Sequence, residues 1–205
     1  MRLVDAVLFD LGNVLIGWDP RLALREVLPP DAVDAFLVES GFAELNHRLD
    51  AGLAWEDAAA ELAARDPEHA RVLRLYRQHF PASLTGPIPG SADLVEELRA
   101  LGLRLIGLTN WSAETFPHAL PVAPAIGRLH GVVVSGAEGM AKPDRRLYAL
   151  AARRHGLDPA RTLFVDDSPV NVAAAGELGY QGVVFTGSDA LRAELRARGV
   201  AVHAP

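Results

Sequence analysis

The chain has 205 residues and a mass of 21.9 kDa; 50% of its residues are apolar, 22% are charged and its formal charge is −6. This size fits one α/β domain with a small insertion, and the apolar content indicates a globular rather than a disordered chain. The negative charge argues against a nucleic-acid partner, because phosphate backbones need a basic surface, and the lack of cysteine excludes disulfides, zinc–thiolate sites and thiol nucleophiles.

Nothing in the sequence indicates a membrane partner or secretion. A membrane-spanning helix requires about 20 consecutive apolar residues, and the chain has no such stretch. Residues 1–5 interrupt a short apolar run with an acid and offer no cleavage site for a signal peptide. We therefore expect a cytoplasmic protein; no feature of the sequence indicates an oligomeric state.

Short apolar runs alternate with helical patterns along the chain. Strands are predicted at residues 3–9, 103–108, 131–134, 162–165 and 182–185. They are apolar almost throughout, as expected for strands that are covered on both faces of a parallel sheet. Helices that end before a glycine are predicted at residues 91–101, 144–155 and 188–198. This alternation predicts an α/β fold with a doubly wound, Rossmann-like parallel sheet.

A long block interrupts the alternation between the first two predicted strands. It carries helical patterns at residues 30–40, 55–65 and 67–79 and no clear strand. Because it is too long for an ordinary crossover, we predict that residues 16–84 form an inserted, small helical cap subdomain, and that residues 1–15 and 85–205 form the α/β core. Ligands of open α/β sheets bind at the carboxyl ends of the strands, so a cap that leaves the first strand there would cover the site.

Polar residues follow four of the predicted strands at their carboxyl ends, where one sheet edge would bring them together. They are Asp10, Thr109 with Asn110, Lys142, and Asp166 with Asp167. Mg²⁺ prefers oxygen ligands and takes one or two carboxylates together with water and substrate phosphate. An aspartate can attack phosphorus and form an aspartyl-phosphate. The set therefore indicates a site for a divalent cation and a phosphoryl group.

Two of these features are hard to explain as ordinary strand ends. Adjacent carboxylates such as Asp166 and Asp167 repel each other and are disfavoured after an apolar strand unless a cation or hydrogen-bond donors compensate them. Lys142 is the single lysine among 20 basic residues, the others being arginine, which indicates a role that arginine cannot fill, such as that of a compact ammonium charge. Asp10, Thr109 and Asn110 would each, taken alone, also fit a helix cap or a turn.

In this order and at these strand ends, the four segments resemble the four motifs of the haloacid dehalogenase-like hydrolase superfamily. Residues 9–15, Phe-Asp-Leu-Gly-Asn-Val-Leu, are similar to the branch with a small helical cap. That branch contains bacterial sugar-phosphate phosphatases and the phosphatase domain of soluble epoxide hydrolases. The resemblance covers nearly the whole chain and implies a Mg²⁺-dependent phosphatase of a small phosphorylated metabolite, with a sugar phosphate as the first expectation.

The resemblance also implies a role for each motif residue. Asp10 would be the nucleophile, and Lys142 would neutralise both this carboxylate and the phosphate. Thr109 and Asn110 would hold the phosphoryl oxygens. The implied Mg²⁺ ligands are Asp167 directly, Asp166 through water or as a second ligand, Asp10, and the backbone carbonyl of Gly12. Trp111, next to Asn110, is the aromatic residue that we expect to contact the substrate.

Gly12 departs from the family's pattern. Most phosphatases of this superfamily carry there a second aspartate, which protonates the leaving alcohol and then activates water. A general acid contributes about 10²–10⁴-fold to the rate, so the sequence predicts either a slow phosphatase or a proton donor from elsewhere. The polar residues of the cap that could supply it are Glu44, Asn46, His47 and Asp50. His47 has the best-matched reference pKa, although a helix histidine is more often merely exposed or packed.

The resemblance also includes proteins with other activities. A 2-haloacid dehalogenase lacks the second aspartate as well, but it uses no metal, and its fourth motif usually lacks paired acids, so Asp166 and Asp167 point away from it. A phosphonate-cleaving relative would require a lysine in the cap, and residues 16–84 contain none. A catalytically weak protein of this fold that binds a phosphorylated ligand or partner stays open.

Overall fold

The computed structural model describes residues 3–204 and contains two sheets. The strands, in chain order, are β1 (Ala6–Phe9), β2 (Ile16–Trp18), β3 (Leu84–Pro87), β4 (Arg104–Thr109), β5 (Gly131–Val134), β6 (Thr162–Asp166) and β7 (Gln181–Val184). The helices are α1 (Pro30–Glu39), α2 (Phe42–Asp50), α3 (Trp55–Ala63), α4 (Pro67–His79), α5 (Ser91–Ala100), α6 (Ala119–Val122), α7 (Ser135–Glu138), α8 (Arg145–His155), α9 (Pro169–Gly176) and α10 (Ser188–Ala197).

The larger sheet confirms the predicted α/β architecture. Its five strands run parallel in the order β5-β4-β1-β6-β7, so the first strand of the chain lies at the centre. Phe9 at the end of β1 pairs with Gly107 of β4 and with Val165 of β6. This register brings the carboxyl ends of the three central strands to one edge, where the residues that follow them share a common space.

Helices cover both faces of this sheet because alternate residues of each strand point in opposite directions. Val7 and Phe9 belong to the cluster that contains the apolar side chains of α5 and α10. Leu8 belongs to a second cluster, formed with the apolar side chains of α8 and α9. Burial on both sides explains why β1 and β6 are apolar in the sequence up to their last residues.

The segment between β1 and α5 is mainly helical and contains α1 to α4. Its aromatic side chains pack on one another: Tyr76 stacks on Trp55 with ring centroids 5.8 Å apart and meets the edge of Phe42 at 4.9 Å. Aromatic residues at helical spacing thus form much of the interior of this segment, and the burial of Tyr76 is complete. The boundaries of the cap subdomain at residues 16 and 84 stay a proposal. The predicted core also includes residues 1, 2 and 205, which lie outside the described residues.

The structure corrects the expectation that residues 16–84 contain no strand. β2 and β3 form a two-stranded antiparallel ribbon at the two ends of this segment, with Ile16 opposite Pro87 and Gly17 opposite Gly86. Glycine and proline in such short strands leave no alternation of apolar and polar residues to detect, and the pairing joins residues far apart in the chain. The sequence patterns also did not predict α2, which begins after Gly41 and has three buried apolar side chains among polar ones.

The ends of the predicted elements shift by a few residues at most. The first strand begins at Ala6 rather than at residue 3, because the backbones of Leu3 and Asp5 donate hydrogen bonds to Arg198 and Arg161 instead of to a neighbouring strand. Within residues 3–204, the helices are all too short or too polar to cross a bilayer.

Candidate active site

Asp10 lies directly after β1, at the edge where the central strands end. Its backbone N–H donates to the carbonyl of Val165 at 2.8 Å, which extends the ladder between β1 and β6 by one residue. The Oδ1 atom of Asp10 accepts from the backbone N–H of Leu11 at 2.7 Å and lies 3.0 Å from Nζ of Lys142. Among the described residues, no hydrogen-bond donor contacts Oδ2, so this oxygen stays available to a ligand.

Lys142 is completely buried between two carboxylates. Its Nζ atom lies 3.0 Å from Asp10 Oδ1 and 2.6 Å from Asp166 Oδ2, and it also lies over the ring of Phe164. Burial by itself would lower the pKa of Lys142, but the two carboxylates outweigh this effect and raise the pKa. The lysine is therefore a fixed positive charge beside Asp10.

Asp166, the last residue of β6, has no exposed surface and both of its oxygens are occupied. Besides Lys142, it accepts from the backbone N–H of Ser168 at 2.8 Å and from Nδ2 of Asn171 at 3.1 and 3.2 Å. Asn171 lies in the first turn of α9 and was missed by the sequence reasoning. The signal that could have found it is an amide five residues after a strand-ending aspartate, within reach of its carboxylate.

Asp10, Asp166 and Asp167 form a cluster of oxygen donors. One carboxylate oxygen from each lies within 4.8 Å of the other two. Burial is the main cause that raises the pKa of Asp10 to about 6. The charge of Lys142 lowers this pKa, and the charge of Asp166 raises it. Burial and the neighbouring Asp166 also raise the pKa of Asp167. When ionised, three carboxylates and one ammonium leave two uncompensated negative charges, so a hard divalent cation fits this donor set.

Asp167 differs from Asp166 in that it is exposed at the mouth of the site. Its Oδ2 atom accepts from Nδ2 of Asn13 at 3.3 Å, and Oδ1 of Asn13 accepts from the backbone N–H of Trp18 at the same distance. Asn13 adopts a left-handed backbone conformation with φ 56°, which lets the chain turn sharply after Gly12. This residue therefore links the carboxylate cluster to β2.

Thr109 and Asn110 end β4 beside the same cluster. Oγ1 of Thr109 is buried and has no hydrogen-bond partner among the described residues, as expected where a ligand oxygen is to be bound. Asn110 uses both ends of its amide on the backbone of Lys142: Oδ1 accepts from its N–H at 2.7 Å and Nδ2 donates to its carbonyl at 3.0 Å. Asn110 thus holds the loop that carries the lysine.

A cleft of about 70 Å³, partly open to solvent, adjoins these residues at Gly12 and Asn110 and is lined by both the core and the helical segment. Its aromatic lining consists of Trp18, Trp55, Phe80 and Trp111. The indole N–H groups of the first two are already engaged, with Tyr76 Oη at 3.2 Å and Ser112 Oγ at 3.0 Å. These two rings therefore offer mainly apolar surface to a ligand, whereas the buried indole N–H of Trp111 has no partner among the described residues. Trp111 lines the cleft, as the sequence suggested, and is itself mostly buried.

The structure does not bring His47 to this cleft. His47 lies on an exposed position of α2, whereas Asn46 and Asp50 of the same helix line the cleft together with Gly12. Burial is the main cause that raises the pKa of Asp50 to about 7; the charge of Asp10 adds to the rise, while the Ser112 backbone and Lys142 oppose it. The difference arises because position 50 lies only about 40° around the helix from position 46, whereas position 47 is rotated by about 100° from it.

Comparisons with known proteins agree with this geometry. The sequence profile of a family described as haloacid dehalogenase-like hydrolase matches residues 4–179. The chain is 28% identical to the sesquiterpene phosphatase astK of Aspergillus oryzae over 93% of this chain and 94% of that protein. It is 26% identical to a phosphoglycolate phosphatase of Caulobacter vibrioides over 89% of this chain and 76% of that protein.

Solved structures share the fold at lower identity. A HAD family enzyme of Bacteroides thetaiotaomicron, solved as a magnesium complex, superposes with a TM-score of 0.76 at 20% identity, over 95% of this chain and 100% of that one. The L-2-haloacid dehalogenase of Xanthobacter autotrophicus superposes with a TM-score of 0.61 at 21% identity, over 97% of this chain and 85% of that one. Both are similar to this chain in architecture.

Proposed function

Because the chain belongs to the haloacid dehalogenase-like hydrolases, we propose that it hydrolyses a phosphate monoester with the help of Mg²⁺, through an aspartyl-phosphate on Asp10. The observation that carries the proposal is the cluster of three carboxylates, two of which contact one buried lysine. A dehalogenase, which works without metal, has no need of paired acids at the end of β6. The phosphatase names of the sequence relatives support the same choice.

In the proposed reaction, the carboxylate of Asp10 attacks phosphorus in line with the leaving oxygen, and the P–O bond to the alcohol breaks. Lys142 holds Asp10 in place through Oδ1, which leaves the second oxygen to attack. Thr109 has a free hydroxyl that would donate to a phosphoryl oxygen. Mg²⁺ would be held directly by Asp10, Asp167 and the carbonyl of Gly12, and through water by Asp166, whose oxygens already accept hydrogen bonds. When bound, the ion supplies positive charge to the phosphoryl oxygens. Water then releases phosphate from Asp10.

The aromatic lining of the cleft supports a substrate whose alcohol part is apolar, such as a prenyl or aryl group. A sugar, which was the first expectation, would need hydrogen bonds for its hydroxyls. Of the three tryptophans in the lining, Trp18 and Trp55 have their indole N–H groups engaged elsewhere, and only that of Trp111 has no partner among the described residues. The sesquiterpene phosphatase of Aspergillus oryzae is, by its name, a relative that acts on an isoprenoid compound. Apolar pockets with a few polar groups are typical of small-molecule sites.

Turnover of p-nitrophenyl phosphate by the full chain tests the reaction class. We expect phosphate release with Mg²⁺, loss of activity in EDTA, and loss in Asp10→Asn with Mg²⁺ present. Asp57→Asn is the matched control, because Asp57 is an exposed acid of α3 that does not line the cleft. Metal-independent release of chloride from 2-chloropropionate, without phosphate release, would instead assign the dehalogenase activity.

A panel of monophosphates tests the substrate class. Prenyl and aryl phosphates should have a higher kcat/KM than glucose 1-phosphate, and Trp18→Ala should reduce the value for the prenyl compound much more than for the sugar. Trp18 is the variant of choice because it is only partly buried, so its removal disturbs the interior least among the four aromatic residues. A higher kcat/KM for the sugar phosphate would overturn the apolar assignment and leave the reaction class untouched.

A further inference from the structure

Gly12 leaves the proposed reaction without an obvious proton donor. A Cβ atom placed at this residue would meet no heavy atom within 4 Å, so the space that a side chain could occupy here is open and belongs to the cleft. An alkoxide leaving group has a pKa far above 7 and cannot depart without a proton. Another acid that reaches the cleft would have to fill this role.

Asp50 is the acid that the structure brings there. It is the last residue of α2 and lines the cleft together with Gly12 and Asn110. Its backbone carbonyl accepts a hydrogen bond from the core residue Ser135, whose Oγ atom also accepts from the backbone N–H of Trp111 at 2.9 Å. Hydrogen bonds through Ser135 therefore connect the end of α2 to the segment that follows β4 at the site.

The carboxyl group of Asp50 is also held in a fixed orientation. Nδ2 of Asn46 donates to its Oδ2 atom at 3.0 Å, and no other side-chain donor among the described residues contacts this carboxyl. The backbone N–H of Ser112 also donates to this carboxyl. Because a carboxyl group has more acceptor positions than these two donors use, one of its oxygens can still carry a proton toward the cleft. Within residues 3–204, no cation forms an ion pair with Asp50, which distinguishes it from Asp10 and Asp166, both of which contact Lys142.

The electrostatic surroundings favour a carboxyl that exchanges a proton near neutral pH. Burial raises the pKa of Asp50 to about 7, and the charged groups that act on it are Asp10, which raises the pKa further, and Lys142, which lowers it. A general acid works best when its pKa lies close to the working pH. His47, by contrast, is exposed and does not line the cleft.

We propose that Asp50 is the general acid and base of this enzyme and takes the place of the side chain that Gly12 lacks. The proposal rests on the proposed phosphatase function. As Asp10 bonds to phosphorus and the P–O bond to the alcohol breaks, the proton of Asp50 passes to the leaving oxygen and Asp50 becomes a carboxylate. Asp50 then accepts a proton from water as the water oxygen bonds to phosphorus and the bond to Asp10 breaks. One alcohol and one phosphate leave, and Asp50 regains its proton.

Asp50→Asn tests the proposal through its dependence on the leaving group. For an alkyl phosphate, kcat/KM should fall by about 10²–10⁴-fold, the usual contribution of a general acid. For p-nitrophenyl phosphate, kcat/KM should hardly change, because p-nitrophenolate leaves without a proton. The second step still lacks its base, so this substrate should give a burst of one p-nitrophenolate per enzyme followed by slow turnover. Asp57→Asn should behave as wild type with both substrates.

The double variant Gly12→Asp, Asp50→Asn completes the test. If the two positions supply the same proton, the new aspartate in the open space at residue 12 should restore much of the alkyl phosphatase activity. Equal losses on alkyl and aryl substrates in Asp50→Asn, with an unchanged melting temperature, would overturn the role of Asp50. If Asp50→Asn does not fold, the pH profile of the wild-type enzyme tests the proposal instead. Its kcat/KM for the alkyl phosphate should fall above about pH 7, whereas its kcat/KM for the aryl phosphate should not. Absence of any phosphatase activity in the wild type would instead overturn the proposed function.

Discussion

Lys142 has no exposed side-chain surface and lies between Asp10 and Asp166, both within 3.0 Å. An arginine at this position would have to fit a larger, planar guanidinium into space that is already filled, and its fork would not match two separate carboxylates. The use of lysine at this one position, in a chain whose other basic residues are arginine, follows from this geometry.

Lys142→Arg and Lys142→Met should therefore both lose phosphatase turnover almost completely. The methionine variant also leaves two buried carboxylates without their cation, which costs about 3–5 kcal/mol of the free energy of unfolding. Steady-state kinetics and urea unfolding measure the two effects. Arg71→Met is the control, since Arg71 is an exposed residue of α4 whose one ion-pair partner among the described residues is Glu68. Near wild-type turnover of Lys142→Arg would show that a compact ammonium group is not needed.

Asp50 has a consequence for stability that does not depend on catalysis. Its pKa in the folded state is raised from 3.8 to about 7, so the folded chain holds a proton between these pH values that the unfolded chain has released. The free energy of unfolding must then decrease as the pH rises through this window and level off above it. Ionised Asp50 is thus a destabilising group at alkaline pH, as is common at functional sites.

Asp50→Asn should consequently melt at a higher temperature than wild type at pH 8 and at nearly the same temperature at pH 4. Measurements in EDTA remove any contribution of bound metal. The difference between the two proteins, rather than either curve alone, isolates Asp50 from the other carboxylates with raised pKa values, Asp10 and Asp167. A constant difference in melting temperature across this range would mean that Asp50 is ionised throughout.

At the scale of elements, α2 is the part of the helical segment whose position matters most for the proposed chemistry. Gly52, two residues after α2, has φ 101°, and a Cβ atom there would lie 3.1 Å from the carbonyl oxygen of Gly136 and 3.2 Å from Cα of Gly139. The backbone of the turn after α2 therefore packs directly on the backbone of α7 and its C-terminal residue. A side chain at residue 52 would separate these two backbones and displace Asp50.

Gly52→Ala should lose stability and, in addition, lower kcat/KM for alkyl phosphates more than for aryl phosphates. Gly41→Ala is a matched control at the other end of α2: Gly41 also has a positive φ of 69°, but a Cβ atom there meets nothing within 4 Å. Both variants introduce a backbone strain of about 1–3 kcal/mol, because alanine is strained at a positive φ. Only Gly52→Ala should also change the ratio of kcat/KM for alkyl and aryl phosphates. Identical kinetics of the two variants would show that contact between α2 and α7 does not position Asp50.

At the scale of the whole molecule, the carboxylate cluster joins distant parts of the chain: Asp10 follows β1, and Asp166 and Asp167 follow β6. Because these carboxylates repel each other, they destabilise the folded chain, and a bound divalent cation would offset this repulsion. A ligand that binds only the folded chain stabilises it in proportion to its concentration above the dissociation constant.

Mg²⁺ at about 100 times its dissociation constant should contribute about 2.7 kcal/mol to the free energy of unfolding. For a chain of this size that corresponds to a rise in melting temperature of roughly 5–10 °C. Asp167→Asn should lose most of the rise, whereas Asp57→Asn should keep it. Identical melting temperatures of the wild type in Mg²⁺ and in EDTA, measured by calorimetry, would contradict the metal site.

The sequence by itself determined the features that depend on local patterns. The five core strands and most helices follow from apolar runs, helical periodicity and glycine at helix ends. The strand ends also predicted a site at Asp10 and the pair at residues 166 and 167, and the single lysine of the chain added Lys142 to this prediction. These signals work because a strand that is buried on both faces must be apolar along its whole length, so the polar residue that follows it is conspicuous.

Only the tertiary structure decided which side chains meet across the cleft. β2 and β3 pair residues that are nearly seventy positions apart, Asn171 reaches Asp166 through a turn into α9, and the rotation of α2 selects Asp50 rather than His47. Choosing an acid by its reference pKa favoured His47, but the pKa of Asp50 is set by burial and neighbouring charges. Such surroundings come from packing between distant segments, which no local pattern of residues records.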